Sequence, residues 1–433
     1  MAERLKISVI GGGSVYTPEL VAGFLSAPGE LPVTEIALMD IDRDRLATVG
    51  GLVQRMARAA QADLTVTVTT DRGQALDGAR FVIAQLRVGG NAQRVVDETI
   101  PVRFGVVGQE TTGPGGFAKA LRTVPVLLDI AAEMGRLCPE AWLVNFTNPS
   151  GLITEALLRH GRVRTIGLCN LPLTMTMDIA RLLDAAPGEL FLDYVGLNHL
   201  SWVRRVFRDG RDVTGEMMAR AVAEARQSPR PGFDPALLEA LGMLPCSYLR
   251  YYYHHGRVVA EQRTAGRTRG EEVLAIDADL LERYRDPELA VKPPQLAKRG
   301  GAWYSRAAVS VIGAIAGNKR EIHIVSCRNQ GAVPDLPPES VVEAPCVVGA
   351  AGPVPMVTGP LPGAIRGLVQ AVKGYEELTI EAAVTGDRRT ALAALLAHPL
   401  VPDYEAAQGL LDAILAANRP WLPRFFAPRA GRG

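Results

Sequence analysis

Cysteine is scarce in this chain and unpaired in pattern. Five residues (138, 169, 246, 327 and 346) are scattered over 433 positions with no Cys-x-x-Cys pair. Such a set excludes a disulfide framework and a four-thiolate structural zinc site, and it suits a reducing cytoplasm. Net charge is also nearly absent, with 47 basic against 46 acidic residues and a formal balance of +1. No global field would gather nucleic acid or an anionic membrane, so any anion must be recognised by a local cluster. Long apolar runs are missing as well. The best, Ala307 to Gly317, is about half the ~20 residues that a membrane-crossing helix needs. No charged segment followed by a signal-like apolar stretch precedes the first strand pattern. The expectation is a cytoplasmic protein without nucleic-acid or membrane partners. Internal repeats and low-complexity tracts are absent too.

What is present is the balance of a globular protein, 48% hydrophobic and 21% charged. A length of 433 residues exceeds one ordinary core and predicts two domains. The first part alternates short apolar runs with amphipathic stretches. Strands are expected at 6–10, 35–39, 64–69, 81–84, 142–145 and 165–168, with helices at 18–25, 43–60, 124–137 and 151–160 between them. That alternation predicts a parallel sheet covered on both faces. Beyond Leu200 the pattern changes to long helices, a tyrosine-rich stretch at 248–253, a Pro-rich connector at 333–345, and strand-like runs at 319–326 and 340–348. The tail from 363 to 418 is helical in pattern. The predicted fold is α/β: a Rossmann-like parallel-sheet domain over 1–168, then a mixed α+β, largely helical domain over 169–433.

Gly11-Gly12-Gly13-Ser14 closes the opening strand. Gly11 and Gly13 fit the first two glycines of G-x-G-x-x-G, Ser14 and Val15 follow as further expected cofactor contacts, and Tyr16 stands where the third glycine is expected. Glycines there let backbone amides approach a pyrophosphate at a helix N-terminus. Asp40 ends the second strand, placed to accept from a ribose diol and to repel a 2′-phosphate, which favours NAD over NADP. The missing third glycine predicts looser packing of helix on sheet.

Cys169 follows the sixth predicted strand and is succeeded by Asn170-Leu171-Pro172, a turn that ends it. His199 follows Tyr194-Val195-Gly196-Leu197-Asn198. A soft thiolate and an imidazole can share a divalent transition metal with positions left open. Taken singly, each is more often a buried hydrophobe or a satisfied structural histidine. Tyr248 opens the tyrosine stretch, and a phenol can act as a base where a cation lowers its pKa. Arg87 and Arg94 flank the segment 88–93 after the fourth strand, and Arg299 precedes a double glycine. Their planar forks suit a phosphate, although surface arginines are usually only solvated.

Five segments jointly match one known family: 10–14, 105–116, 145–151, Cys169-Asn170-Leu171-Pro172 and Gly196-Leu197-Asn198-His199. The tyrosine stretch, Arg299-Gly-Gly-Ala302 and 395–402 match it too. The chain resembles the NAD- and metal-dependent family 4 glycoside hydrolases, and most closely those acting on 6-phospho-β-glucosides, over nearly its whole length. That family stands outside two-carboxylate glycoside hydrolysis. The resemblance implies Cys169 and His199 as ligands of a divalent metal, with manganese expected. It implies Tyr248 as the base, with Glu110 increasing its basicity and Tyr251 as the substitute if the tyrosines are shifted. It assigns Asn148 to the sugar and Arg94 to the substrate, and Asn170 in place of an acidic residue points to the β subclass. It leaves the leaving-group acid unassigned.

The implied reaction moves a hydride from sugar C3 to the nicotinamide, and the metal acts as Lewis acid. The acidified C2 proton is then removed and the aglycone eliminated from C1, after which water adds and the hydride returns. The expected substrates are phosphorylated disaccharides or aryl glycosides, and the expected assembly is a homodimer or homotetramer. The competing readings are an α-specific relative, a lactate/malate-type 2-hydroxy-acid dehydrogenase and an idle NAD sensor. No Gly-Glu-His-Gly segment supports the dehydrogenase.

Overall fold

A computed structural model describes residues 5–427 apart from 28, 30, 230, 231, 301 and 302. The glycine and alanine at 301 and 302, part of the segment after Arg299, therefore lie outside the described residues. Six strands form the parallel part of one sheet: β1 (Lys6–Ile10), β2 (Glu35–Met39), β3 (Thr65–Thr69), β4 (Phe81–Ala84), β5 (Trp142–Asn145) and β6 (Arg164–Gly167). Then come a hairpin of β7 (Leu190–Leu197) and β8 (Leu200–Arg208), and the short β9 (Arg211–Asp212) and β10 (Leu244–Pro245). β11 (Glu321–Arg328), β12 (Val341–Gly349) and β13 (Gly352–Pro355) complete the set. The large sheet runs β13-β12-β11-β6-β5-β4-β1-β2-β3. Its parallel part has the order 3-2-1-4-5-6, in which ligands bind beyond the carboxyl ends of the strands where the order reverses, between β1 and β4.

Alternation along the strands explains why both faces are covered. Ile7 and Val9 of β1, with Phe81 and Ile83 of β4, enter one apolar cluster, and Ile10, Val82 and Ala84 enter another. Successive side chains of a strand point to opposite faces, so a sheet packed on both sides reads as a continuous apolar run. The Rossmann-like fold and helical second half are as the sequence predicts. The sheet nevertheless continues across position 168, because β11 pairs antiparallel with β6 through Ser326 and Gly167. The sheet therefore does not end at the expected boundary.

Several local expectations need correction. The helix expected at 124–137 is the second half of a 25-residue helix, Gly113–Leu137, with Pro125 inside it. Its start, Gly113-Pro114-Gly115-Gly116, carries no apolar periodicity. These glycines serve a close approach: a Cβ on Gly115 would lie 2.2 Å from the Gln109 carbonyl oxygen, and one on Gly116 2.6 Å from Thr111. The polar helix Gly90–Arg103 was not expected, since its buried residues include Gln93, Arg94, Asp97 and Glu98 rather than an apolar stripe. The segment after Leu200 is a strand, not the start of long helices. The packing at Tyr16 is not loose either. Thr17, Leu20 and Val21 are fully buried, and the Thr17 hydroxyl donates to the Gly12 carbonyl at 2.9 Å.

His398, in the connection between the last two long helices, is buried against Tyr375 with ring centroids 4.5 Å apart. Its Nδ1 accepts the Leu400 N–H at 3.1 Å. Burial pushes its pKa down from 6.5 to about 3. The unfolded chain therefore binds a proton that the folded chain refuses. The neutral ring's contribution is complete above pH 6.5 and is lost as pH falls toward 3, at about 1.4 kcal/mol per pH unit. Urea unfolding at pH 7 and pH 5 should show His398→Gln losing about 2 kcal/mol less than the unsubstituted chain over that interval. Equal losses in the two proteins would exclude a neutral buried His398.

Candidate active site

The glycine loop lies at the reversal point of the sheet, and sterics require its glycines. Gly11 has φ +90°, and a Cβ there would come within 2.9 Å of the Gln85 backbone. A Cβ on Gly13 would lie 2.9 Å from Asp40 Oδ2. Asp40 Oδ2 accepts the Gly13 N–H at 3.0 Å and Oδ1 accepts the Asp42 N–H at 3.2 Å, so this carboxylate shapes the loop as well as facing the cleft. The cleft encloses about 660 Å³, and its walls include Gly11, Ser14, Asp40, Arg87, Asn148 and Arg299. Val15 stands apart from these. Its side chain is buried with Val49, Leu52, Met56 and Tyr284, and its carbonyl accepts the Tyr284 hydroxyl at 2.8 Å. Only its main chain can meet a cofactor. Tyr16 turns into the cleft wall, edge-on to Tyr304 with centroids 5.2 Å apart.

Thirty residues apart in sequence, Cys169 and His199 meet at 3.4 Å between Sγ and Nε2. Cys169 follows β6 at the start of the helix Leu171–Leu182, whose first N–H donates to its sulfur at 3.4 Å. His199 occupies the tip of the β7–β8 hairpin, which pairs Leu197 with Leu200 and leaves only Asn198 and His199 to turn. The turn puts His199 in the left-handed region at φ +63°, which histidine visits more readily than most side chains. Thr111 Oγ1 lies 3.1 Å from His199 Nδ1 and sets the ring so that Nε2 faces the sulfur.

Burial pushes the imidazole down to about 3, so it is neutral and has a lone pair to give. Burial, then the Glu343 carboxyl, pushes the Cys169 thiol up to about 12, while the Leu171 N–H and the Asn198 amide pull it down. A bound divalent cation deprotonates such a thiol. Among the described residues no group of three or more His, Cys, Asp or Glu could hold an ion. A thiol and a neutral imidazole at this spacing fit a metal site whose other positions fall to substrate oxygens or water.

Tyr248 stacks on the His199 ring, 3.7 Å between centroids and 10° between planes. Its phenol is held well above the ordinary value by burial first, then by Cys169, Tyr251 and Glu110; Arg94 works the other way. A phenol held this high is protonated at neutral pH, and a cation bound beside it would pull its pKa down. Tyr251 lies edge-on to Tyr248 at 5.8 Å, within reach of the same region.

Glu110 is the centre of a buried charge cluster. It pairs with Arg87, with Lys119 Nζ at 2.8 Å and with Arg94 Nη1 at 3.0 Å. Burial, the largest single influence, pushes its carboxyl up, yet Arg87, Lys119 and Arg94 together hold it well below the usual range. Burial and Arg87 bring Lys119 down to about 7. Arg94 also binds Glu98 at 2.8 Å. Arg299 binds Asp277 at 2.8 Å; burial first, then Arg87 and Arg94, lowers its pKa, while Asp277 works the other way. The structure therefore gathers the three expected arginines into one region, each already on a carboxylate. Arg87 and Arg299 line the cleft, whereas Arg94 is buried at 7% exposure. Asn148 lines the cleft beside Phe146 and Thr147, and Asn170 occupies the position before the helix that begins after Cys169 without capping it, its Oδ1 accepting from the Cys169 thiol at 3.9 Å.

Sequence reasoning missed Lys119, Thr111, Asp277 and Arg45. Thr111 stood within the segment 105–116 and was legible there as a neighbour of Glu110. Lys119 lies inside an apolar helix, where a lone lysine signals nothing about its partner. Asp277 reaches the site from the helix Arg269–Tyr284, where it accepts from Arg45 at 3.0 Å and Asn91 at 2.6 Å. Arg45 in turn donates from Nε to the Gly13 carbonyl at 2.8 Å. No spacing in the sequence announces that link.

A dinucleotide-type cleft joined through Thr111, Glu110 and Lys119 to a thiol–imidazole pair defines a class of α/β protein built for redox chemistry beside a metal. Two family models narrow the class: the family 4 glycosyl hydrolase model matches residues 6–185, and that of the family's C-terminal domain matches 194–401. The chain belongs to the family 4 glycosyl hydrolases. It is 44% identical to a probable 6-phospho-beta-glucosidase of Bacillus subtilis, covering 98% of this chain and 99% of the relative. It is 29% identical to a maltose-6′-phosphate glucosidase of the same organism, covering 97% of each. The structure of the 6-phospho-beta glucosidase from Thermotoga maritima with manganese, NAD+ and glucose-6-phosphate superposes with a TM-score of 0.91 at 37% identity, covering 96% of this chain and 99% of that one.

Proposed function

We propose that this protein is a 6-phospho-β-glucosidase that uses NAD and a divalent metal, manganese by preference, to release glucose 6-phosphate and an aglycone. The observation that carries the reading is the Cys169–His199 pair at 3.4 Å with Tyr248 stacked on it, beside the cleft of the glycine loop. The greater likeness to the β-acting relatives favours the β linkage over the α.

Gly11, Gly13 and Ser14 receive the pyrophosphate of NAD, and Asp40 accepts from the adenosine ribose. Cys169 and His199 hold the metal, and Thr111 keeps the imidazole turned toward it. Arg87, Arg299 and Arg94 form the cationic region for the 6-phosphate, with Asn148 and Asn170 contacting the sugar. When bound, NAD takes up and returns a hydride at sugar C3 and the cation supplies Lewis acidity. Tyr248 removes the C2 proton, and the field of Glu110 raises its basicity. The residues of 1–168 carry the dinucleotide, and those of 169–433 supply the metal ligands, the base and the contacts for assembly.

The protein works in the cytoplasm as a homodimer or homotetramer. Five free thiols support a reducing compartment, and exposed Ile322, Val354 and Val357 near the β13 edge support association. No described helix is long and apolar enough to cross a membrane.

Asp40→Ala should weaken NAD binding about 10- to 100-fold, since a charge-assisted hydrogen bond contributes about 1.5–3 kcal/mol. Titration of the metal-free protein with NAD measures this, and an unchanged dissociation constant would remove Asp40 from the site. The reading as a whole is tested with p-nitrophenyl β-glucoside 6-phosphate in the presence of NAD, manganese and a thiol reductant, each omitted in turn. Nitrophenol release that needs NAD and manganese, without accumulation of NADH, is expected. NADH accumulating on a hydroxy acid with no glycoside cleaved would replace this reading with a dehydrogenase.

A further inference from the structure

The helix Arg269–Tyr284 belongs to the second half of the chain, yet it touches both the dinucleotide loop and the arginine cluster. It is fixed at each end. Its Gly270 N–H donates to Glu98 Oε2 at 2.7 Å, and the other oxygen of Glu98 holds Arg94. At the far end Arg55 donates to the carbonyls of Tyr284 and Leu289, both at 2.7 Å, and the Tyr284 hydroxyl donates to the Val15 carbonyl of the loop. Between these anchors stands Asp277, which is 3% exposed.

Asp277 takes donors from three separate segments. Its Oδ2 accepts Arg45 Nη2 at 3.0 Å and Asn91 Nδ2 at 2.6 Å, and its Oδ1 accepts Arg299 Nε at 2.8 Å. A buried carboxylate is costly unless it is paired and hydrogen-bonded, and the two guanidinium groups meet that need. Each arginine then has a second task. Arg45 donates Nε to the Gly13 carbonyl at 2.8 Å and so holds the glycine turn in place. Arg299 is held through Nε, so the carboxylate does not consume its terminal amino groups, the fork that fits two phosphate oxygens. Arg45, Asn91, Asp277 and Arg299 all line the same cleft as Gly11, Ser14 and Asp40.

We propose that Asp277 is a positioning residue for both ligands: through Arg45 it sets the Gly13 turn against the dinucleotide, and through Arg299 it presents a guanidinium fork to the 6-phosphate of the sugar. One side chain on a doubly anchored helix thus fixes two subsites relative to each other. Reacting atoms must be held about 3–3.5 Å apart, so an error in that separation is costly. The sugar half of the proposal rests on the reading of Arg299 as part of the phosphate region.

Calorimetric titration of the full-length protein tests it, with NAD on the metal-free form and glucose 6-phosphate on the form saturated with NAD and manganese. Asp277→Asn keeps the shape of the side chain but has one acceptor oxygen and an NH₂ group that faces a donor. Both dissociation constants should rise about tenfold, the effect of losing a hydrogen bond to a charged group. Arg45→Met should weaken chiefly NAD, and Arg299→Met chiefly glucose 6-phosphate. Asp277→Asn combined with Arg45→Met should weaken NAD no further than the worse single variant. Combined with Arg299→Met it should do the same for glucose 6-phosphate, because each pair acts through one bond. General loosening of the fold would not divide between the two ligands in this way.

A rise in only one constant in Asp277→Asn, a rise in neither, or additive losses in either double variant would overturn the proposal. Should Asp277→Asn not fold, Asp277→Glu takes its place, since it moves the carboxylate by one methylene. A rise in both constants then supports the proposal, and any lesser effect overturns it. Unchanged glucose 6-phosphate affinity in Arg299→Met would instead overturn the phosphate reading on which the sugar half depends.

Discussion

Cys169→Ser should lower kcat/KM for a 6-phospho-β-glucoside by about 10³-fold or more, with NAD affinity retained. Metal polarisation of substrate oxygens contributes several kcal/mol to a barrier, and each 1.36 kcal/mol is a factor of ten. A serine hydroxyl is far harder to deprotonate than a thiol and is a harder donor than a soft site selects. The proposed site has one other ligand, His199, and among the described residues no group of three or more His, Cys, Asp or Glu could hold an ion in its place. Metal content after gel filtration and the rate on a nitrophenyl substrate measure the effect. Full activity in Cys169→Ser, or in protein with Cys169 completely alkylated, would exclude the thiolate as a ligand.

Tyr248→Phe should lower kcat by about 10²- to 10⁴-fold, the range expected for loss of a general base, while leaving metal and NAD binding nearly intact. The phenyl ring preserves the stacking on His199 and removes only the oxygen. The informative readout is isotopic. In heavy water the unsubstituted enzyme should return glucose 6-phosphate labelled at C2, because the proton removed there is replaced from solvent. Tyr248→Phe should lose that label in step with the rate. If the variant kept its rate and Tyr251→Phe lost it, the base would be Tyr251, which lies 5.8 Å from Tyr248 ring to ring.

Both predictions depend on a site whose members were largely legible in the sequence, for reasons that differ from residue to residue. Gly11 and Gly13 could be read because a backbone at φ +90°, or one pressed against Asp40, admits nothing larger. Cys169 could be read because it ends a strand pattern and is followed by a turn that cannot continue it. Tyr248 gained meaning only from the resemblance, since an aromatic stripe by itself is usually packing. Val15 was placed with the cofactor by its position in the loop, but its side chain belongs to the interior, in contact with Tyr284.

The arginines show what sequence cannot supply. Their number and Gly-rich surroundings suggested a phosphate pocket. That Arg87 and Arg94 would both lie on Glu110, with Lys119 buried beside them, depends on the helix Gly113–Leu137 packing its first turn against the loop that precedes it. Likewise the helix Gly90–Arg103 escaped notice because its buried face is polar, and polar burial has no period to detect.

The amino-acid sequence alone determined the strand pattern and the dinucleotide loop, and its resemblance to a known family added the expected ligands. The first two follow from local rules: side-chain period, backbone permissiveness and the chemistry of single residues. Tertiary structure alone decided that Cys169 and His199 stand 3.4 Å apart, that β11–β13 extend the first sheet, and that Glu343 of β12 binds Asn198 at the turn beside His199. The physical reason is that a hydrogen bond or a shared ion depends on distances of a few ångström between segments far apart in the chain. Those distances exist only after the sheet has been assembled and its loops have been pressed together.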